Sequence, residues 1–563
     1  MKYIRPDIEK TGNAFTGLIE SFKKAANAEE ADKYMSEINS LRNEFESMKV
    51  IAFINYSNDT GNAEYSAEED FFDENYPVFE KYVIEYYKAL VSSEFRKELS
   101  GKYGNHLFEI AEISLKGFSP EIIVDMQKEN HLGHEYMTLK ASAKIMFEGQ
   151  ERNLQELEPF MESTDRDTRK KAFNSYWKFF SDNAAEFDRI FDKLVYLRND
   201  KALKMGYKNY TELGYILMKR MDYNKEMVNN FRANIKKYIV PLAEKFREKQ
   251  RQRLGYDKLM VYDVLLQFKT GNATPKGNPE WIVDKGKNMY DELSPETKVF
   301  YDFMYNNDLM NVFSRKGKAD MGYCDYISKY KSPYIFANMN GTDDDITVLT
   351  HEAGHAFQAF QSRNFHFREY CEPTMETAEI HSMSMEFLTY PWMNLFFKED
   401  TDKFKYTHIC SSINFLPYGV IVDAFQHWIY ENPAVSPSDR KAKWRELEKE
   451  FMPHLNYGEI DFLEKGGRWQ KQGHIYESPF YYIDYCLAQI CALQIWSRAI
   501  HNGNGEYKNA LKDYIALCGK GGSKSFLELV KETNLESPFE EKVIAKIAKE
   551  VGEYIDSIDD LTL

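Results

Sequence analysis

The chain has 563 residues, a formal net charge of −16, and 39 Tyr and 39 Phe. That length exceeds what one hydrophobic core usually serves, so two lobes or domains are expected. The acidic balance excludes the phosphate-neutralising surface of a nucleic-acid protein and reads as a solvated, solubilising surface.

The segment Met1–Asp7 lacks an apolar h-region, so no signal peptide is expected. No run of about eighteen apolar residues occurs, so no membrane span is expected. Six cysteines (324, 371, 410, 486, 491 and 518) are scattered without a C-x-x-C pair. They read as reduced thiols of a cytoplasmic protein.

The pattern is overwhelmingly helical. From Phe15 to Met48 apolar residues recur at helical spacing, including Met35, Ile38, Leu41 and Phe45. Amphipathic stretches continue through Phe79–Leu99 and Thr168–Lys204. We therefore divide the chain into a helical part, 1–200, and a second part, 201–563, that carries the chemistry-bearing motifs. Gly271–Pro279 is the densest turn cluster, either an interlobe linker or a surface loop. Beyond the Arg315–Lys318 break, Met321–Ile327 and Ser332–Asn340 concentrate aromatic and β-branched residues and predict two strands. The edge of such a sheet could take an extended peptide as an added strand; otherwise it is a structural hairpin.

His351, Glu352, Ala353, Gly354 and His355 spell H-E-x-x-H. On a helix the two imidazoles project from one face and can grip one zinc ion, with Glu352 beside the water to be activated. Gly341–Asp345 supplies Thr342 and three aspartates to cap and favour the helix start. Leu349, Ala353, Ala356 and Phe360 form one buried stripe, and the histidines fall on the other side. Gly354 sits mid-helix, where glycine costs about 1 kcal/mol relative to alanine. A close neighbour, protein or substrate, must need the space.

A catalytic zinc site wants a third protein ligand and an open position. The predicted helix after Pro373 places Glu376, Glu379 and Glu386 on one face, with His381 nearby. Spacing does not separate Glu376 from Glu379, and His381 is a further option. A second unusual stretch, Trp469–Tyr485, holds His474 followed by Tyr481, Tyr482 and Tyr485. Ser478 and Pro479 read as the cap and first residue of a helix that makes the tyrosine hydroxyls converge. Such a cluster is ordinarily core. Beside a zinc peptidase site, however, neutral donors of this kind suit a developing oxyanion.

These motifs resemble the thimet oligopeptidase and oligoendopeptidase F family of zinc metallopeptidases. The likeness rests on H-E-x-G-H at 351–355 and E-x-x-S-x-x-x-E at 379–386. Asn340–Thr342 and Thr347–Thr350 also match. It runs from about Gly317 to Lys549, and the 474–485 segment is similar to the oligoendopeptidase F, Pz-peptidase-like branch. The resemblance implies Glu379 as third zinc ligand, Glu386 as a group orienting a ligand, and His474, Tyr482 and Tyr485 as transition-state contacts. Tyr481 is a further candidate, since the spacing from the histidine is one shorter than in the thimet branch. It also implies a mainly α, two-lobed fold, with a small sheet beside the zinc helix and a deep interlobe channel. The function expected is a one-zinc endopeptidase acting on internal bonds of short unfolded oligopeptides, with Glu352 as general base. An exopeptidase such as a metallo-carboxypeptidase is the alternative. A silent peptide-binding protein is disfavoured by the intact Glu352, and a di-iron bundle by the absence of a second E-x-x-H.

Overall fold

A computed structural model describes residues 1–501 and 505–563. It is 71% helical, with two small sheets among the described residues. No described helix is long and apolar enough to cross a membrane. The first helical stretch divides in two, Ile8–Lys23 and Ala28–Asn58, because the Asn27 side chain caps a new helix by accepting from the Glu30 N–H. A third helix, Ala63–Val91, packs against both, and Phe45 stacks on Phe79 with ring centroids 3.9 Å apart. Phe15, Ile19, Met35, Ile38 and Leu90 belong to the same buried cluster.

A second buried cluster runs from Leu132 to Ile555. The 271–279 turn cluster lies between two of its members, Phe268 and Ile282. Its Lys276 N–H donates to Phe396 O at 3.0 Å, and Asn278 caps the helix Pro279–Leu293. It is thus a loop pinned within one packed unit, not a linker between two.

The strands are β1 (Ile145–Phe147) and β2 (Gln150–Arg152), which form a hairpin, then β3 (Met310–Phe313), β4 (Tyr323–Ile327) and β5 (Ser332–Met339). The larger sheet has the order β3-β5-β4, with β3 parallel and β4 antiparallel to the central strand. Four residues with Asn311 among them give β3 too little pattern to predict. In the β4/β5 register Tyr323 faces Phe336, and their rings stack at 4.8 Å. Strand β4 lies at the edge, so one side of its backbone has no partner strand.

Strand β5 leads directly into the helix Asp344–Ser362. The turn between them is closed from the helix side. The Asp345 carboxylate accepts from the N–H groups of Asn340 and Gly341 at 2.8 and 2.9 Å. Gly341 has φ +91°, which lets the chain turn back at this point. Asp343, at the cap position, makes no capping bond, and Thr342 bonds Asn340 instead. This corrects the expected cap: the aspartate inside the helix braces the incoming turn.

Candidate active site

The helix Asp344–Ser362 buries Leu349, Ala353 and Ala356 completely, while the side chains of His351 and His355 remain about a fifth exposed (20% and 19%). The helix Met375–Leu388 crosses it at Gly354. A Cβ there would lie 2.6 Å from both His381 O and Ser382 Cα. The mid-helix glycine is therefore explained by backbone-to-backbone packing of these two helices, not by a substrate.

That close crossing delivers Glu379 to the histidines. Its Oε2 lies 3.2 Å from His351 Nε2 and 3.5 Å from His355 Nε2. One ligand atom from each of the three residues falls within 4.8 Å of the others, and the two-imidazole, one-carboxylate donor set suits a zinc ion. Ser382 Oγ donates to Glu379 Oε2 at 2.8 Å, and the Tyr481 hydroxyl donates to Oε1. Glu376 and His381 lie outside this group. Glu376 accepts from Tyr223 in a buried network with Arg220 and Asp484. His381 is fully buried and its ring packs near Tyr514.

Glu352 is 7% exposed and its Oε2 has no hydrogen-bond partner. Burial pushes its carboxyl up against the lowering pull of the two histidines. A buried carboxylate oxygen without a partner is costly unless another group or water meets it. The edge of the sheet closes over this carboxylate, and a Cβ on Gly322 would sit 3.6 Å from Glu352 Oε1.

Behind His351 a relay runs inward. His351 Nδ1 lies 2.7 Å from Glu386 Oε1, Glu386 Oε2 lies 2.7 Å from His408 Nε2, and the Tyr390 hydroxyl meets His408 Nδ1 at 2.7 Å. A carboxylate on the outer nitrogen fixes the ring's tautomer and leaves Nε2 free to ligate. Sequence reasoning missed His408 and Tyr390. His408 lies about two turns into the helix Thr401–Glu431, in no motif and 22 residues from Glu386, so no local signal marks it.

The 474–485 segment forms the facing wall. Its helix begins at Tyr482, not at Ser478 and Pro479 as the sequence suggested. Phe480 takes φ +68°, its N–H donates to Gln426 Oε1, and its carbonyl accepts from Arg220. This buried aromatic anchor overrides the Ser-Pro start signal. His474 Nε2 lies 3.2 Å from the Tyr485 hydroxyl. On the other side of the ring, Tyr418 O–H donates to Gln472 Oε1 at 2.7 Å, and Gln472 Nε2 meets His474 Nδ1 at 2.8 Å. With Nδ1 accepting from the amide, the ring proton sits on Nε2. Burial lowers His474 to about 4, so it is a neutral donor at pH 7. Tyr482 meets His474 edge-on at 5.0 Å between centroids and packs against Phe415 and Tyr418.

A family model described as peptidase family M3 matches residues 159–549, and one for the peptidase M3 N-terminal domain matches 1–118. The chain belongs to peptidase family M3. Its fold matches the solved structure of PZ peptidase A with inhibitor 2 at TM-score 0.98 and 51% identity, over 100% of this chain and 99% of that one. A putative oligoendopeptidase F from Bacillus anthracis matches at TM-score 0.93 and 49% identity, over 100% and 98%. Oligopeptidase PepF of Bacillus subtilis is 22% identical over 414 residues, which is 72% of this chain and 59% of that protein's length. The chain thus spans less than two thirds of the length of this relative.

Two cavities flank the His351, His355 and Glu379 group of this M3 chain. One, of about 390 Å³, is lined by Met321 and Gly322 beside the sheet edge and by His474 and Tyr481. The other, of about 410 Å³, is lined by Thr347, one turn before His351, and by His408. Tyr176 and Lys471 line both.

Proposed function

We propose that this chain is a zinc endopeptidase that hydrolyses internal bonds of short, unfolded oligopeptides. The observation that carries the reading is the convergence of His351, His355 and Glu379 beside a buried, unpartnered Glu352 carboxylate, faced by the donor wall of His474 and Tyr485. His351, His355 and Glu379 would hold one zinc ion. When bound, the ion supplies Lewis acidity to the scissile carbonyl and to the attacking water.

The protein's own groups do the rest. Glu352 takes the proton of the attacking water and hands it to the leaving amine, and its raised carboxyl suits both transfers. His474 Nε2–H and the Tyr485 hydroxyl donate to the developing oxyanion, with Tyr482 packing the imidazole in place. Because His474 stays neutral, its donor is present without a protonation step. Tyr481 and Ser382 hold the Glu379 carboxylate in one rotamer. An extended peptide laid along the free edge of β4 would run past Glu352 with backbone hydrogen bonds that ignore side-chain identity. The flanking cavities support a channel between two lobes that admits flexible peptides and rejects folded proteins.

Quenched fluorescent peptides of increasing length, with denatured and native proteins alongside, test the reading. Internal cleavage of short peptides, with native proteins left intact, is expected. Stepwise loss of terminal residues would instead show an exopeptidase, and efficient cutting of a native protein would remove the channel. Glu352→Gln should keep its zinc and lose turnover by several orders of magnitude; near-normal turnover refutes the base assignment.

A further inference from the structure

The cavity on the Thr347 and His408 side is lined by both basic and acidic side chains, and two of its cations have no paired carboxylate among the described residues. Lys471, Arg247 and Arg468 line it. Among the described residues, Lys471 has no hydrogen bond and no carboxylate within 4 Å, and its nearest recorded contact is the Trp177 ring at 6.0 Å. Arg247 donates only to Gln250 Oε1 and Val264 O, and its buried Nε has no partner. Arg468 has one carboxylate contact, Glu448 at 3.7 Å, and its buried Nη1 makes no hydrogen bond. Against burial, Arg468 is nonetheless held charged by Tyr457, Glu448 and Tyr418, so Lys471 and Arg247 are the two cations left short of a counter-ion. Half-buried cations lose hydration without gaining a counter-ion, a cost that an incoming anion removes. Burial pulls Lys471 to about 8 and Arg247 to about 10, which expresses that unmet demand.

We propose that Lys471, with Arg247 and Arg468, forms a carboxylate-binding subsite for the peptide substrate. This rests on the oligopeptidase reading and adds to it a charge preference. The position fits, because Lys471 lines both cavities that flank the metal ligands and lies three residues before His474. A peptide spanning the site would pass it. Glu158, Glu162, Asp343 and Asp344 line the same cavity, and burial holds all four above their usual range, so they favour the protonated form and leave Lys471 to an incoming carboxylate. The carboxylate comes either from the peptide's C-terminus or from an acidic side chain, and both present the same two oxygens to an ammonium.

The test compares one quenched fluorescent peptide as free acid and as C-terminal amide, and a second pair in which an internal Glu is replaced by Gln. In the wild-type protein, kcat/KM should be about tenfold higher for the acid member of one pair, and which pair responds identifies the source. Lys471→Met should bring that ratio to about one, and Lys471→Arg should restore it. Because the readout is a ratio within each variant, a general loss of activity does not imitate the effect. Ratios near one for both pairs in the wild type overturn the proposal, as does an undiminished ratio in Lys471→Met. Failure of the wild type to cleave any of the four peptides would instead sink the oligopeptidase reading beneath it.

Discussion

Gly354→Ala tests whether the site depends on two helices touching backbone to backbone. The added methyl would meet His381 O and Ser382 Cα at 2.6 Å. Neither is the end of a flexible side chain, so no rotamer change relieves the clash. Restoring an ordinary contact of 3.4 Å requires the helices to part by about 0.8 Å. Overpacking of this kind costs roughly 1–3 kcal/mol, and alanine returns about 1 kcal/mol of helix propensity. A net loss of about 1 kcal/mol follows, enough to lower Tm by only a few degrees in a chain of this size. The effect on the site should be far larger. His355 is on one helix and Glu379 on the other, and metal–ligand distances tolerate only about 0.2 Å. A misplacement near 1 Å costs on the order of 100-fold in activity. The assays are apo-protein melting, zinc titration against a competing chelator, and kcat/KM on a short peptide. A modest Tm shift with a large loss of zinc affinity is expected. Wild-type zinc affinity and kcat/KM in this variant would refute the argument that the helix crossing sets the ligand geometry.

Glu379→Ala should abolish tight zinc retention, whereas Glu376→Ala should keep zinc and lose stability through its Tyr223 and Arg220 network; metal analysis after dialysis, alongside melting, separates them. His408→Phe removes one partner of Glu386 and should cost about 10–100-fold in zinc affinity or turnover; unchanged values would mean that His351 needs no brace. Glu369 is buried and receives Arg42 and the Tyr87 hydroxyl. Burial opposes its ionisation, yet Arg42 and Tyr87 hold it at about 2. A carboxyl depressed in the folded state stabilises above its unfolded pKa and loses that contribution as pH falls towards the folded one. Glu369→Gln should therefore cost on the order of 3 kcal/mol at pH 7. Its denaturant-derived stability should converge with the wild type between pH 4.5 and 2, and parallel curves would contradict this.

What the sequence made legible follows the distance over which each signal acts. The H-E-x-x-H pair and the helix spacing of Glu376, Glu379 and Glu386 are local, so pattern alone placed the ligand candidates on two helices, as the fold has them. Choosing among them was not local. Spacing left Glu376 and Glu379 open, and the difference lies in Arg220, Tyr223 and Asp484, contributed by segments more than 100 residues away. Gly354 shows the intermediate case: its cost in a helix announced a close neighbour, while the neighbour itself, the backbone at His381 and Ser382, appears only in the packed fold. His408 left no trace, because a histidine in a long helix has the same local pattern whether it serves the core or a carboxylate. The start of the tyrosine helix was misplaced for the same reason. Ser478 and Pro479 are good start signals, but they act over one turn, whereas Phe480 is fixed by the side chains of Gln426 and Arg220 and by burial against Tyr210 and Tyr430. That anchor matters chemically. By delaying the helix to Tyr482 it leaves Tyr481 at the cap, where its hydroxyl reaches Glu379, while Tyr485, one turn on, reaches His474. The two rings lie 4.8 Å apart, so one hydroxyl meets the Glu379 carboxylate while its neighbour meets the His474 imidazole.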